Sequence, residues 1–353
     1  AAMIRVVQCF TGGVGAENVR RLARHPRMKL VGVLVHSAEK AGRDAGDVVG
    51  LPPLGITTTR SLDEIIALAP DAAIWSAQGY DPESIARLLA AGVNVYTGLG
   101  GYFLDGEPEQ ALLADACRTG GSTFAAGGNI PGLISDVLPI FLTGYTGSVR
   151  HIDAVQRNHV AHYPSAAQLR DGLGLGLPPG ETESATALDA GWLWLMTSSA
   201  RMVAAALSVP FTRIEQTDKR TALAAETVTL PGSGLTIEAG TVGGVRWTWT
   251  AYSGPTAYLT ITNEQTAVLG LGAGWRETER EPAWTVELDA SPPLVATLTW
   301  PEGTAAAAAN AQLNSARAIN VLAALVAAPP GCVSVLDLPM ITSSDTVLGE
   351  ATP

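Results

Sequence analysis

Ile4-Arg5-Val6-Val7-Gln8-Cys9, followed directly by Phe10-Thr11-Gly12-Gly13-Val14-Gly15, is the stretch on which the reading of this chain turns. Its first six residues include the β-branched Ile4, Val6 and Val7 and make a short strand. After the glycines, Val19, Leu22 and Ala23 recur at i, i+3 and i+4, the spacing of a helix with one apolar stripe. Strand, glycine loop and helix in that order are the context a dinucleotide fingerprint requires. There Gly12 lets a pyrophosphate approach the backbone and Gly15 lets the helix pack close to the strand. The helix N-terminus supplies N–H donors and positive dipole for the phosphates. Thr11, Gly12, Gly13, Val14 and Gly15 are therefore the candidate phosphate cradle. Phe10 occupies the first glycine slot of the G-x-G-x-x-G pattern, and the alternative reading is a tight turn that holds no ligand.

Outward from this loop the pattern repeats. Residues 30–35 (LVGVLV) form a continuous apolar run, as a strand buried on both faces does. Ser61-Leu62-Asp63-Glu64 is a capping box that starts a helix, and residues 72–75 read as a strand. Asp81-Pro82 supplies an N-cap and an N1 proline for a helix through Ala91. Residues 94–97 and 122–126 are further strands, with a helix from Pro108 to Thr119 ended by Gly120. Repeated β-α-β units at this spacing predict an α/β fold with a doubly wound parallel sheet of Rossmann type.

From about His151 the texture changes. Val245-Arg246-Trp247-Thr248-Trp249-Thr250-Ala251 alternates, with both tryptophans on one face, as in a half-covered antiparallel sheet. Residues 258–262, 284–288 and 295–300 read as its neighbours, and a helix over 190–207 covers one face. Residues 171–184 (DGLGLGLPPGETES) predict a loop and a candidate lid. A final helix over 304–327 stops at Pro329-Pro330-Gly331. The second part is thus an α+β domain with a mainly antiparallel sheet.

Composition excludes several classes. The chain of 353 residues is 47% hydrophobic and 16% charged, which is enough apolar material for two cores. A net charge of −11 offers no basic footprint for nucleic acid. No apolar run is long enough to span a membrane, and no signal-peptide pattern is visible, so the expectation is a cytoplasmic protein without a membrane or nucleic-acid partner. Cys9, Cys117 and Cys332 are scattered and lack metal-ligand spacing, which predicts reduced thiols and no metal.

The second strand bears on the cofactor. An acid at its end selects NAD through the ribose 2′-OH. Here Val35-His36-Ser37 closes the strand, with Glu39, Lys40 and Arg43 beyond. Ser37, Lys40 and Arg43 favour a 2′-phosphate, hence NADP(H), with NAD(H) as the alternative and solvated loop charges as the bland reading. Among proton carriers, His159, His162 and Tyr163 cluster where the second domain begins, and two of the five histidines fall within four positions. A histidine pair that only hydrogen-bonds backbone is the competing account. Asn129 stands at the end of a parallel strand, where ligands bind in open α/β sheets.

These stretches resemble the dihydrodipicolinate-reductase-like family that includes 2,4-diaminopentanoate dehydrogenase and the native amine dehydrogenases. The resemblance rests on residues 8–15 (QCFTGGVG), 35–44, Gly127-Gly128-Asn129-Ile130-Pro131-Gly132, Tyr163-Pro164-Ser165, 172–179, 240–244, 320–330 and Asp337-Leu338-Pro339. It implies a Rossmann domain over 3–135, completed by the C-terminal helix and tail 312–353. It further implies a substrate and dimerisation domain over 136–311, an active site in the cleft between them, and a homodimer. Hydride transfer to or from a C=N or C=O carbon is the implied chemistry. Ser76, Ala77, Thr97, Gly98 and Asn129 become cofactor candidates, and Tyr102, Asn129, Gln156 and Asn158 substrate candidates.

Departures from the family pattern matter too. Dihydrodipicolinate reductases carry His-His-x-x-Lys at the entrance to their second domain; residues 156–163 here have one of those histidines and no lysine. Amine dehydrogenases of the family place a glutamate after the fourth strand, whereas residues 98–105 contain none. Gln156 stands where an acid is common. A neutral pocket suits a carbonyl substrate, so carbonyl reduction of a bulky neutral compound is the alternative enzyme, and a non-catalytic NADP(H) sensor the alternative to an enzyme. In such a pocket an ionisation near that of histidine, ~6.5, would control turnover.

Overall fold

The computed structural model describes residues 3–182, 186–278, 284–301, 304 and 306–345. They divide into two compact units, the first within residues 3–128 and 311–345 and the second within residues 129–310. The boundary therefore falls just before Asn129, where the sequence reading had put it at 135/136.

The first unit begins with β1 (Ile4–Cys9), α1 (Gly13–Leu22), β2 (Met28–Leu34), α2 (Ala45–Val49), α3 (Leu62–Ala67) and β3 (Ala72–Trp75). It continues with α4 (Pro82–Ala90), β4 (Asn94–Thr97), α5 (Gln110–Gly120) and β5 (Thr123–Ala126). The predicted caps hold: Ser61 Oγ accepts from Glu64 N–H at 3.3 Å and Asp81 from Ser84 N–H at 3.0 Å. The capping box is only half formed, because the Glu64 carboxylate takes the Thr59 hydroxyl instead of the Ser61 amide. Helix α5 runs through Gly120, and Gly121 (φ +64°) supplies the left-handed cap. Sequence reading passed over α2, a single turn capped by the Asp44 carboxylate.

The second unit contains α6 (Leu138–Thr143), β6 (Val149–His159), α7 (Ala166–Arg170), α8 (Thr186–Leu207), β7 (Arg213–Leu223), β8 (Val228–Thr229) and β9 (Thr236–Ile237). It ends with β10 (Val242–Ser253), β11 (Thr256–Thr266), β12 (Trp284–Ala290) and β13 (Leu294–Leu298). The main sheet runs β13-β12-β6-β11-β10-β7. Its pairings are antiparallel except β6 with β11, which is parallel. Strand β6 is thus central, and residues 156–159, which the sequence pattern assigns to no element, form its end. Their polar side chains hid the alternation that Ile152 and Ala154 begin. One face packs under α8, where Met196, Ala200 and Val203 meet Trp247, Trp249, Leu259 and Ile261. Trp247 and Trp249 stack nearly parallel, 6.4 Å apart, and are core. The stretch expected as a lid is anchored between 173 and 177. Leu173 and Leu175 are buried in this core, and Gly176 N–H donates to the Val242 carbonyl. Residues 183–184 of that stretch lie outside the described residues.

The chain then follows α9 (Ala306–Asn320), α10 (Leu322–Ala327) and β14 (Gly331–Cys332). The single predicted helix is two, interrupted at Val321. Ile319, Leu322 and Leu325 bury against Val6, Ile74 and Tyr96 in the core of the first unit. Its parallel sheet runs β14-β5-β4-β3-β1-β2. Strand order reverses between β1 and β3, so the crevice for a ligand opens at their carboxyl ends. Among the described residues no helix is long and apolar enough to cross a membrane.

Candidate active site

At the carboxyl end of β1 the glycine loop is built on buried amides. Gln8 Nε2 donates to the carbonyls of Cys9 (2.7 Å) and Phe10 (2.9 Å), and Gln8 Oε1 accepts from Asn18 Nδ2 at 2.9 Å. Both side chains are fully buried. This bracket holds Phe10 at φ +70°, the left-handed conformation that a glycine in the first fingerprint slot adopts without strain. The Phe10 ring meets Trp75 edge-on at 5.0 Å, which supplies packing that a glycine would lack. Gly15 is required by contact: a Cβ there would stand 2.1 Å from the Phe10 carbonyl oxygen. Gly12 and Gly13 instead border open space, with nothing among the described residues within 4 Å of where a Cβ would stand. An open cradle at the N-terminus of a ten-residue helix without an acid in its first turn fits a pyrophosphate.

The other cofactor candidates collect around the same edge. Lys40 Nζ reaches back to the loop and donates to the Thr11 carbonyl (3.2 Å) and hydroxyl (3.1 Å). Ser37 Oγ accepts from the Glu39 amide, and Arg43 is exposed. After β3, Ser76 Oγ lies 3.4 Å from Asn18 Nδ2, and half-buried Ala77 follows. After β4, the buried Thr97 hydroxyl bridges the Leu99 backbone, and Gly98 carbonyl accepts from Tyr102 Oη at 2.7 Å. The Tyr102 ring is almost wholly buried. It borders a cavity of about 200 Å³, lined also by Leu104, Asp105, Gln110, Cys332 and Asp337. Asp105 thus brings a carboxylate to the loop after β4. Asp337 also lines this cavity, with one oxygen held by the Ser334 amide and hydroxyl. Nearby, burial and the Glu109 charge push the Tyr80 phenol up, so it stays protonated.

In the second unit, the face of β6 that carries Ile152 and Ala154 ends in Gln156 and Asn158. Their partners on β11 are Asn263 and Gln265. All four amide side chains are buried. Gln265 Nε2 donates to Asn263 Oδ1, and Trp284 Nε1 to Asn158 Oδ1 (3.1 Å). Among the described residues Gln156 Oε1 and Asn263 Nδ2 have no protein partner, an unmet demand in a buried amide cluster. Sequence reading missed Asn263 and Gln265; polar residues continuing an apolar alternation were the available signal. A nearby acid, Glu264, points to the opposite face. Arg246 Nε holds it at 2.8 Å, with Arg157 at 3.9 Å. His159 shares that opposite face, its Nδ1 3.3 Å from Thr266 Oγ1. His162 is exposed, beyond the strand. The structure therefore does not gather the two histidines beside Gln156 and Asn158.

Tyr163 has other company. Its Oη accepts from Asn310 Nδ2 at 3.3 Å, and the Asn310 carbonyl accepts from Asn129 Nδ2 at 3.3 Å. Burial raises the Tyr163 pKa, partly opposed by the Asn310 donation. Asn310, on α9, was missed; its signal was an amide within an alanine run. Asp136 was missed as well. It is buried, accepts from the Gly132 amide (2.9 Å) and the Ser199 hydroxyl (2.7 Å), and burial pushes it up to about 6.

Residues 133–350 match the model of the 2,4-diaminopentanoate dehydrogenase C-terminal domain. An amine dehydrogenase of Streptomyces virginiae is 31% identical over 256 residues, 69% of this chain and 70% of the relative. A 4-hydroxy-tetrahydrodipicolinate reductase of Synechococcus elongatus is 28% identical over 121 residues, 33% of this chain and 44% of that protein. The amine dehydrogenase structure from Mycobacterium smegmatis superimposes with a TM-score of 0.79 at 18% identity, covering 96% of this chain and 97% of the other. This chain belongs to the 2,4-diaminopentanoate dehydrogenase family, in the dihydrodipicolinate-reductase-like amine dehydrogenase group of NAD(P)-dependent oxidoreductases.

Proposed function

We propose that this oxidoreductase moves hydride between NADP(H) and a C=N or C=O carbon, as an imine reductase or amine dehydrogenase, and works as a homodimer. The observation that carries the reading is the open cradle at Gly12 and Gly13, braced from below by Gln8 and Asn18 and from the side by Lys40. When bound, the nicotinamide supplies or accepts the hydride. The chain's part is orientation and proton handling. The loop amides and α1 hold the pyrophosphate, and Arg43 faces solvent where it can meet a 2′-phosphate. The unmatched Gln156 and Asn263 amide atoms are suited to orient a polar substrate group. Tyr163 Oη, kept protonated by burial and aligned by Asn310, is suited to hold the proton that follows hydride. His159 and His162 remain the other candidates for that proton.

Carbonyl reduction is the second reading, favoured by one observation: the amide cluster is neutral and Glu264 is turned away from it. Asp105 at the cavity after β4 favours the amine reading, because an ammonium or iminium removed from water needs a counter-charge. Single-turnover NADPH oxidation with a ketone panel, with and without ammonia, separates them. Consumption that requires ammonia supports imine chemistry, and consumption without it supports carbonyl reduction. Tight NADPH binding with no turnover across ketones, imines and amines would leave a sensor. Light scattering tests the dimer.

A further inference from the structure

We propose that Gln156 and Asn263 select the arm of the substrate, taking an uncharged hydroxyl in preference to a carboxylate, an ammonium or a plain alkyl end. The inference rests on the oxidoreductase reading above and names its substrate class. The pairing register lays one row across the main sheet: Lys219, Trp247, Asn263, Gln156, Trp284 and Leu298 are successive cross-strand partners. Residues directly opposite one another share a face. Two amides therefore sit side by side between two indoles, and all four side chains are buried. Three strand spacings of about 4.8 Å put the backbones of Trp247 and Trp284 roughly 14 Å apart, with the amides as a polar strip between aromatic flanks.

The strip presents one donor and one acceptor. Asn263 Oδ1 accepts from Gln265 Nε2, which leaves the Asn263 NH2 group as the part without a partner among the described residues. Gln156 Oε1 has none either, although it opposes Asn263 across the pairing of β6 with β11. The next amide along β6, Asn158, is engaged by Trp284 Nε1 at 3.1 Å. A buried polar atom left unpaired costs free energy, so a ligand that relieves both is favoured. A hydroxyl does so with a single oxygen: its proton goes to Gln156 Oε1, and its lone pair receives the Asn263 N–H. A carboxylate serves Asn263 and sets a negative oxygen against Gln156 Oε1. An ammonium serves Gln156 and sets N–H against N–H. A methyl group serves neither.

Charges near the strip are already matched. Lys219, at the end of the row, donates to Asp189 Oδ1 at 2.7 Å, and the same oxygen accepts from Trp247 Nε1 at 3.0 Å. Glu264 lies between Asn263 and Gln265 in the chain, but it is turned to the other face, where Arg246 holds it. An ionic arm on the strip would lose water without gaining a counter-charge.

The test is a matched series of ligands on the full chain with oxidised cofactor bound. It compares 4-hydroxy-2-butanone with 2-pentanone, levulinate and 4-amino-2-butanone, in which methyl, carboxylate and ammonium replace the hydroxyl, and with the next homologue of each. Calorimetry reads binding without turnover, and NADPH oxidation in the presence of ammonia reads kcat/KM. The hydroxy ketone is expected to bind about 10- to 100-fold tighter than the methyl member, as two buried atoms regain partners. Both ions should bind more weakly than the methyl member. Gln156→Met, close in length, should shrink the hydroxyl advantage to about threefold or less, since one of the two bonds is gone. Gln156→Glu should place the ammonium member above the hydroxyl one. Equal affinities across the series, binding by no member, or preference for an ion overturns the inference. Hydroxyl-selective binding without hydride transfer would set aside the oxidoreductase reading and leave the hydroxyl site standing, whereas turnover indifferent to the hydroxyl removes the selectivity alone. The wild-type series decides this even where a variant does not fold.

Discussion

Lys40 Nζ stands 3.1 Å from the Thr11 hydroxyl and 3.2 Å from the Thr11 carbonyl, joining the exit of β2 to the glycine loop. That contact separates two cations which the sequence had treated together. Lys40 is engaged in shaping the loop, so its loss should weaken NADPH and NADH alike. Arg43 is exposed, and in the proposed NADP(H) site it would supply charge-assisted bonds to the 2′-phosphate alone. Arg43→Ala should weaken NADPH about 10- to 100-fold, the worth of one or two such bonds, and leave NADH within about twofold. Fluorescence titration of both cofactors checks it; a native preference for NADH overturns the assignment.

Gly12 and Gly15 should fail in different ways. A Cβ at Gly15 meets the Phe10 carbonyl at 2.1 Å, so Gly15→Ala must shift backbone and should lower stability by about 1–3 kcal/mol. Gly12 has φ −71° and nothing near a built Cβ. Gly12→Val should therefore fold with an unchanged denaturation midpoint while losing cofactor affinity by a factor of ten or more, because its side chain fills the cradle. Retained affinity in Gly12→Val would mean that the loop is not the phosphate site.

Asp136 should make stability depend on pH. Burial outweighs the hydrogen bonds from Ser199 and Gly132 and raises the carboxyl to about 6, from an ordinary 3.8. Between those values the folded chain holds a proton that the unfolded chain has released. The contribution is thus fully present below about pH 4 and is lost as pH rises through about 6. The difference between 6 and 3.8, at about 1.4 kcal/mol per pH unit, corresponds to about 3 kcal/mol. Urea unfolding of wild type and Asp136→Asn from pH 4 to 8 should show the variant losing this slope. Parallel profiles would place the titration elsewhere.

The parallel unit was legible because its signals are local. The β-branched run 4–9, the glycines at 12, 13 and 15, and the Ser61 and Asp81 caps each act within a few residues. Phe10 in a glycine slot was visible as a departure, but its φ of +70° depends on Gln8 and Asn18, ten residues apart. The amide cluster was harder still. Gln156 and Asn158 become neighbours of Asn263 and Gln265 only through a parallel pairing of β6 with β11. No turn chemistry announces a pairing across a hundred residues. Asn310 was obscured in the same way, since an amide in an alanine-rich helix reads as a solvated face until Tyr163 is placed beside it.

The same placement decides where the transferred proton is sought. Two histidines near residue 160 imply a rate controlled by an ionisation near ~6.5. His159, however, faces Thr266 and the Glu264 side of the sheet, while Gln156 and Asn158 face the other side. Tyr163 is held by Asn310, itself held by Asn129, and burial keeps its phenol protonated beyond its ordinary range. A donor that stays protonated gives a flat profile through neutral pH. Tyr163→Phe should therefore lower single-turnover hydride transfer by about 10²-fold or more, the usual worth of a positioned acid, with cofactor affinity unchanged. His159→Asn should change it by less than about tenfold and leave the profile flat. A wild-type rate that falls through pH ~6.5, and loses that dependence in His159→Asn or His162→Asn, would return the role to histidine.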